Sequence, residues 1–373
     1  MSERSAHIIA GFRSIVSPRG GNLARYKPHE ISAPIVRRLL KYAGLEPNQI
    51  DELIVSNALG AGGNPARLVA LASGMPERVA GLSIDRQCCG GLDALGLAQS
   101  MIQSGHAEAV IAGGVESYSQ RPVRLKHEHG AAPTIAYDQP PFAPKAEQDP
   151  NMAEAAERTS KRLNISRYDQ DQWAVRSHRL AMDARQVLKR EIVSVSAEVE
   201  EYDTYARYLA PKVCRRAPVI YGSITHANSA VAADAAAFCL VVSDKLARDL
   251  NKSNLRIVKS VTLGADPAFP ALAPIVAIKT ALKQAEIRVD QIDQVELMEA
   301  YAVQALACIS SCGLDPTRTN IKGGGLARGH PIGASGTILA VRLFHDLIEQ
   351  KGKLGLASIA AAGGLGSALI LQA

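Results

Sequence analysis

RQCCGGLDAL, residues 86–95, ends an apolar, strand-like run (AGLSIDRQ, 80–87) and begins an apolar helical one (GGLDALGLAQSMIQSG, 90–105). Two adjacent thiols therefore stand at a strand-to-helix junction. Unpaired backbone N–H groups and the positive end of the helix dipole favour a thiolate there, and the thiolate is the nucleophilic form of cysteine. The opposite reading is that both thiols are small buried apolar residues, as most free cysteines are. The residues alone leave both readings open.

The same alternation continues outward from this junction. ISAPIVRRLLKYAGL (31–45) and GNPARLVALASG (63–74) have helical spacing, while IDELIVSNAL (50–59) and EAVIAGGVES (108–117) read as strands. The last third repeats the scheme: helices in AIKTALKQAEI (277–287), YAVQALACISSCG (301–313) and SGTILAVRLFHDLIEQ (335–350), a strand end in DQVELMEAY (293–301), and a strand pair in 354–372. The chain reads as α/β. Paired glycines at 113–114 and 363–364 suggest an internal duplication. Between the halves, residues 118–217 change character, from a Pro-, His- and charge-rich stretch (120–150) to a strongly helical one (152–192), as an inserted loop subdomain would.

Composition sets the background. The 373 residues are 47% hydrophobic, enough for a large core. Six cysteines without framework spacing or separated CxxC pairs point to reduced thiols, a cytoplasmic setting and no metal. The first residues lack a signal-peptide core, and no apolar run is long enough to span a membrane. The net charge of +6 is scattered and aromatics are only 4%, which argues against nucleic acid.

Eight segments taken in order resemble the signature blocks of thiolases: GNPARLVALASGMP (63–76), RQCCGGLDALGLA (86–98), AGGVESYSQRP (112–122), 152–181, 222–244, MEAYAVQAL (298–306), GGGLARGHPIGASG (323–336) and 356–369. The resemblance covers nearly the whole chain. It implies a five-layer αβαβα fold of duplicated βαβαβαββ halves with an inserted loop domain. The divisions would be an N-terminal half over 1–117 and 218–250, a coenzyme A-binding loop subdomain over 118–217, and a C-terminal half over 251–373. It also implies a homodimer or homotetramer and a small-molecule acyl thioester as substrate. Coenzyme A or acyl-CoA would be a substrate, with no permanently bound cofactor.

The resemblance assigns roles as well. Cys88 falls on the family nucleophile and Cys89 on the small residue after it; His330, in Gly329-His330-Pro331, falls on the base that deprotonates the thiol. The backbone N–H groups of Cys88 and Ala362 would form an oxyanion hole. Asn151, Met152, Asn228, Ser229 and Met298, with Arg215 and Arg216, fall where substrate and coenzyme A would be held, and Arg121, Arg124 and Lys126 would add to a basic rim. His106, His127, His129, His178, His226 and His345 have no such support.

Two departures stand out. The family's Asn-Glu-Ala-Phe reads Met298-Glu299-Ala300-Tyr301, so the water-holding Asn is gone, and its Cys-x-Gly reads Ala360-Ala361-Ala362, so the acid/base thiol is gone. Positioned proton transfer contributes about 10²–10⁴-fold and one oxyanion donor about 10²–10³-fold. Acyl transfer to Cys88 needs neither side chain; carbon–carbon chemistry uses both. An acyltransferase with altered Claisen chemistry, a thiolase-like binding or scaffold subunit of a larger complex, and a decarboxylating ketosynthase are the readings that follow.

Overall fold

The computed structural model describes residues 4–60, 62–127 and 135–373; His129 lies outside them. Nine strands carry the fold: β1 (Ala6–Arg13), β2 (Glu52–Ser56), β3 (Leu82–Ile84), β4 (Ala109–Glu116), β5 (Ala233–Ser243), β6 (Leu255–Gly264), β7 (Gln294–Leu297), β8 (Leu354–Ala361) and β9 (Leu365–Gln372). The first five are ordered β1-β5-β4-β2-β3, and the last four β6-β9-β8-β7. Both sets begin with antiparallel neighbours and end in parallel ones. In the second set a single parallel bridge, Val295 to Thr319, takes the place of β3. The halves meet edge to edge through two residue pairs, His7 with Arg256 and Ile8 with Leu255.

This shared strand order is the duplication. The paired glycines are not its marker: Gly113-Gly114 lie inside β4, whereas Gly363-Gly364 form the turn between β8 and β9 with φ near +75°.

Eight helices complete the frame: α1 (Pro28–Ala43), α2 (Pro65–Ala72), α3 (Gly90–Gln103), α4 (Met152–Leu163), α5 (Arg167–Asp183), α6 (Ala273–Gln284), α7 (Ala302–Cys312) and α8 (Ile332–Gln350). The side-chain alternation of the strands assigns them to layers. In β5, Ala233, Ala235, Ala237, Cys239 and Val241 pack with α3 and α8, while Ala236, Phe238, Leu240 and Val242 pack with α1 and α2. In β9, Leu369 and Leu371 face the same α3–α8 core, and Ala368 and Ile370 face α6 and α7. The sequence of layers is thus α1/α2, sheet, α3/α8, sheet, α6/α7, the five-layer αβαβα thiolase fold. Strands buried on both faces read as unbroken apolar runs, which explains ADAAAFCLVVS in β5.

The inserted segment lies over the end of the sheets where the parallel strands finish, and polar anchors tie it down. Glu191 accepts from Arg13 at 2.6 Å and from Arg342, and Asp203 accepts from Arg13 at 2.7 Å. Trp173 and Ser177 of α5 donate to Glu299 at 2.9 and 2.7 Å. Among the described residues no helix is long and apolar enough to cross a membrane.

Candidate active site

Cys88 and His330 hold equivalent places in the two halves. Each stands two residues before a central helix, Cys88 in a 3-10 turn (Gln87–Cys89) leading into α3 and His330 just ahead of α8. Glycines let those helix starts touch backbone to backbone. A Cβ on Gly91 would come within 2.6 Å of the Thr337 nitrogen, and one on Gly336 within 2.6 Å of the Leu92 nitrogen. Thr337 Oγ1 spans the contact, donating to the Gly91 carbonyl at 3.0 Å. Glu116, at the end of β4, accepts from the backbone N–H groups of Ala58 (3.0 Å), Leu59 (3.2 Å) and Gly333 (3.1 Å), fastening the His330 loop to the first half.

The result is a hydrogen bond between His330 Nε2 and Cys88 Sγ at 3.1 Å. The other ring nitrogen fixes the tautomer. Ser335 Oγ donates to the Pro331 carbonyl at 2.9 Å and lies 2.7 Å from His330 Nδ1, so Nδ1 carries the proton and donates to Ser335. Nε2 is then left with its lone pair facing the thiol. Ser335 was not singled out in the sequence, though its place five residues after His330 in the first turn of α8 is a usable signal.

Burial opposes charge at both groups. It pushes the Cys88 thiol up to about 12, against a lowering by its own backbone N–H, with Glu116 and Asp85 adding to the rise. It pulls His330 down to about 4. Loss of hydration thus favours the neutral thiol and the neutral imidazole, against the thiolate that the helix terminus favours. Cys89 is fully buried, and its Sγ faces the Ile359 carbonyl at 3.7 Å.

Before Cys88 the chain is strained: Gln87 has φ +53°, a left-handed conformation costing a non-glycine residue about 1 kcal/mol or more. That twist turns Cys88 toward a cavity of about 660 Å³. Cys88, His330, Ala360, Ala362, Tyr118 and Tyr301 are among the residues that line it. Arg121 and Arg124 also line it; Arg121 pairs with Asp138 at 3.0 Å, and Arg124 donates to the Ala58 carbonyl at 3.0 Å.

Of the other residues picked out in the sequence, Met152 reaches the cavity and the rest do not line it. Asn151 is the exposed N-cap of α4, its side chain accepting from the Ala153 N–H at 2.9 Å. Asn228 is spent on its own turn and on α5: its side chain accepts from the Thr225 N–H and donates to the Ser223 carbonyl and to Asp171. Ser229 is buried, and Ala230 takes the place on the wall. Met298 is buried in the central core with its methyl group over Gly325. Arg215 and Arg216 end the short helix Pro211–Arg216, and Arg216 lines a separate depression with Arg207, Lys212 and His226.

Comparison with known proteins agrees with this architecture. The family model described as "Thiolase, N-terminal domain" matches residues 6–245, and "Thiolase, C-terminal domain" matches 236–373. The chain is 38% identical to "Putative acetyl-CoA C-acetyltransferase YhfS" of Bacillus subtilis (strain 168) over 376 residues, covering 99% of each. It is 34% identical to VraB of Staphylococcus aureus (strain MW2), which carries the same description, over 98% of each. Among solved structures, the acetyl-CoA acetyltransferase of Bacillus anthracis superposes with a TM-score of 0.92 at 30% identity, covering 99% of both chains. Human mitochondrial 3-ketoacyl-CoA thiolase does so with 0.92 at 27% identity over the whole of both. The two family matches, the end-to-end likeness and the duplicated five-layer architecture together place this chain in the thiolase family.

Proposed function

We propose that the protein is an acyl-CoA acyltransferase of thiolase type that works through an S-acyl-Cys88 intermediate. The carrying observation is the 3.1 Å contact between Cys88 Sγ and a His330 Nε2 held as acceptor, both residues lining a cavity large enough for a thioester arm. In the reaction the sulfur attacks the thioester or β-keto carbonyl carbon while its proton passes to Nε2. The backbone N–H groups of Cys88 and Ala362, which both line the cavity, receive the oxyanion. The acyl group then passes to coenzyme A or a carbon nucleophile, and His330 returns its proton.

Residues 118–217 serve as the coenzyme A-binding loop subdomain in this reading, with Arg121 and Arg124 as the cations nearest the mouth. Guanidinium groups suit phosphate, so binding should weaken with salt. A homodimer is part of the proposal. β3 is an open sheet edge, and exposed Leu82, Leu68, Leu71 and Leu97 lie on it and on helices α2 and α3 beside it, a surface that a second copy would cover.

The test is intact mass after incubation with acetyl-CoA and acetoacetyl-CoA. An acetyl increment mapping to Cys88 is expected. A protein that binds acyl-CoA and gains no mass would instead be the scaffold subunit that the loss of the Asn and Cys side chains permits.

A further inference from the structure

The cavity keeps a proton-carrying side chain that the family pattern does not have. Where the family's Phe would stand, Tyr301 brings a phenol to the wall, and Tyr118 brings another. Neither hydroxyl has a hydrogen-bond partner among the described residues. Both tyrosines are half-buried and line the cavity, so each hydroxyl is free of protein partners and open to whatever the cavity holds.

Tyr301 is the better placed of the two. β7 and β8 are parallel neighbours, paired from Gln294 with Gly355 to Leu297 with Ser358. Tyr301 follows the end of β7, and Ala360 lies near the end of β8, so both reach the cavity from adjacent strands. Tyr301 is also held rigidly. Its backbone bridges to Ser229, and its ring packs among Ala153, Ala156, Ile224 and Val303. Tyr118 comes from the other half, with Arg121 stacked over its ring.

We infer that the Tyr301 phenol is the proton carrier for the carbon–carbon step, doing from β7 what the missing thiol would have done from position 360. This rests on the acyl-transfer reading above. In cleavage of a β-ketoacyl-CoA, Cys88 sulfur bonds to the keto carbon, its proton going to His330. The bond between that carbon and the α-carbon breaks, and its electron pair leaves as the acetyl-CoA enolate. The phenol O–H then breaks as a C–H bond forms on the enolate carbon, leaving a phenolate. The incoming coenzyme A thiol gives its proton to that phenolate as its sulfur takes the acyl group, and the Cys88 thiolate released recovers its proton from His330. Burial, reinforced by Cys88, pushes Tyr301 up to about 12. The phenol is therefore protonated at neutral pH, which favours cleavage, where it starts as an acid, over condensation, where a phenolate must come first.

The experiment compares two readouts on wild type, Tyr301→Phe and Tyr118→Phe: acetyl mass on Cys88 from acetyl-CoA, and deuterium uptake at the acetyl-CoA methyl carbon in D₂O. Phe removes one oxygen and is the residue of the family pattern, so folding is not at stake. Tyr301→Phe should lower the ratio of exchange to acylation by about 10²-fold or more. An unchanged ratio overturns the inference, as does a loss confined to Tyr118→Phe, or a wild type that acylates without exchanging. A wild type that never acylates overturns the acyl-transfer reading, and this inference with it.

Discussion

The two halves repeat one strand order yet finish their site corners differently. In the first half β4 ends at Glu116, a buried carboxylate holding three backbone N–H groups and the Asn57 side chain (2.8 Å). In the second, β8 runs into Ala360-Ala361-Ala362, three methyl groups without a polar contact of their own to the site. The helix-start corners differ as well: a thiol in one, an imidazole in the other. A duplicated frame supplies two matching positions, and their chemistry diverges because only together do they make one reactive pair. The corner that holds the pair is fastened by many hydrogen bonds, whereas the corner that would govern the carbon acid is free to vary, since alanines pack there without leaving a polar group unpaired.

Removing either member of the pair should have the largest effect. Cys88→Ala should abolish acyl mass, with thiolysis falling by at least about 10⁴-fold, since no other thiol among the described residues lines the cavity. His330→Ala should lower the acylation rate by about 10²–10⁴-fold, read by rapid quench and intact mass. Acylation at Cys89 in the first variant would break the distinction between a reactive and a structural thiol.

pH sharpens the comparison. With His330 pulled down to about 4, acylation by a stable acyl-CoA should stay level from pH 8 to 5.5 and decline only as pH approaches 4, where Nε2 becomes protonated. An unfolded histidine binds its proton near pH 6.5, so the His330 contribution to stability is present above that value and fades as pH falls from about 6.5 to 4. With Cys88 pushed up to about 12, iodoacetamide should label it faster with each rise in pH from 7 to 9. Labelling should favour Cys88 over Cys89 by access, not acidity. A rate already level at pH 7 would mean a preformed thiolate.

The alanine corner can be tested by refilling it. Ala360 faces the cavity, so Ala360→Cys should raise the ratio of α-carbon exchange to acylation by about 10-fold or more. Met298→Asn should not add to it: the side chain packs in the apolar core over Gly325, and an amide there should lower stability by about 1–3 kcal/mol, read by thermal denaturation. A gain from the pair exceeding the product of the single gains would show that position 298 does reach the substrate.

The smallest effect should come from Ser335→Ala. It frees His330 Nδ1 to lose its fixed tautomer and should cost about 10-fold in acylation, partly recovered by Ser335→Thr, with little change in thermal stability.

Much of this was legible in the residues. The helices and strands around Cys88 and in the last third follow apolar periodicity, and GGGLARGHPIGASG with RQCCGGLDAL pointed to the two side chains that the structure brings into contact. Three central strands, β1, β5 and β6, escaped; β5 is apolar on both faces and shows no alternation. The ligand-side residues fared less well. Asn151 and Asn228 look like ligand-binding amides in sequence, yet each is satisfied by backbone it caps or turns, and Tyr301 looks like a minor variant of Phe until its hydroxyl is found without a partner.

The sequence by itself determined the α/β class and the thiolase likeness, singled out Cys88 and His330 as candidates, and showed alanine where the family pattern has its second cysteine, because these reside in residue type and local spacing. Only the tertiary structure decided that the thiol and imidazole touch across 242 positions of chain, that burial favours the neutral form of each, that Met298 turns into the core, and that Tyr301 and Ala360 line one cavity. Those outcomes depend on which backbones approach closely enough to pass through glycine, and on how much water burial strips from each ionisable group, and neither quantity is written along the chain.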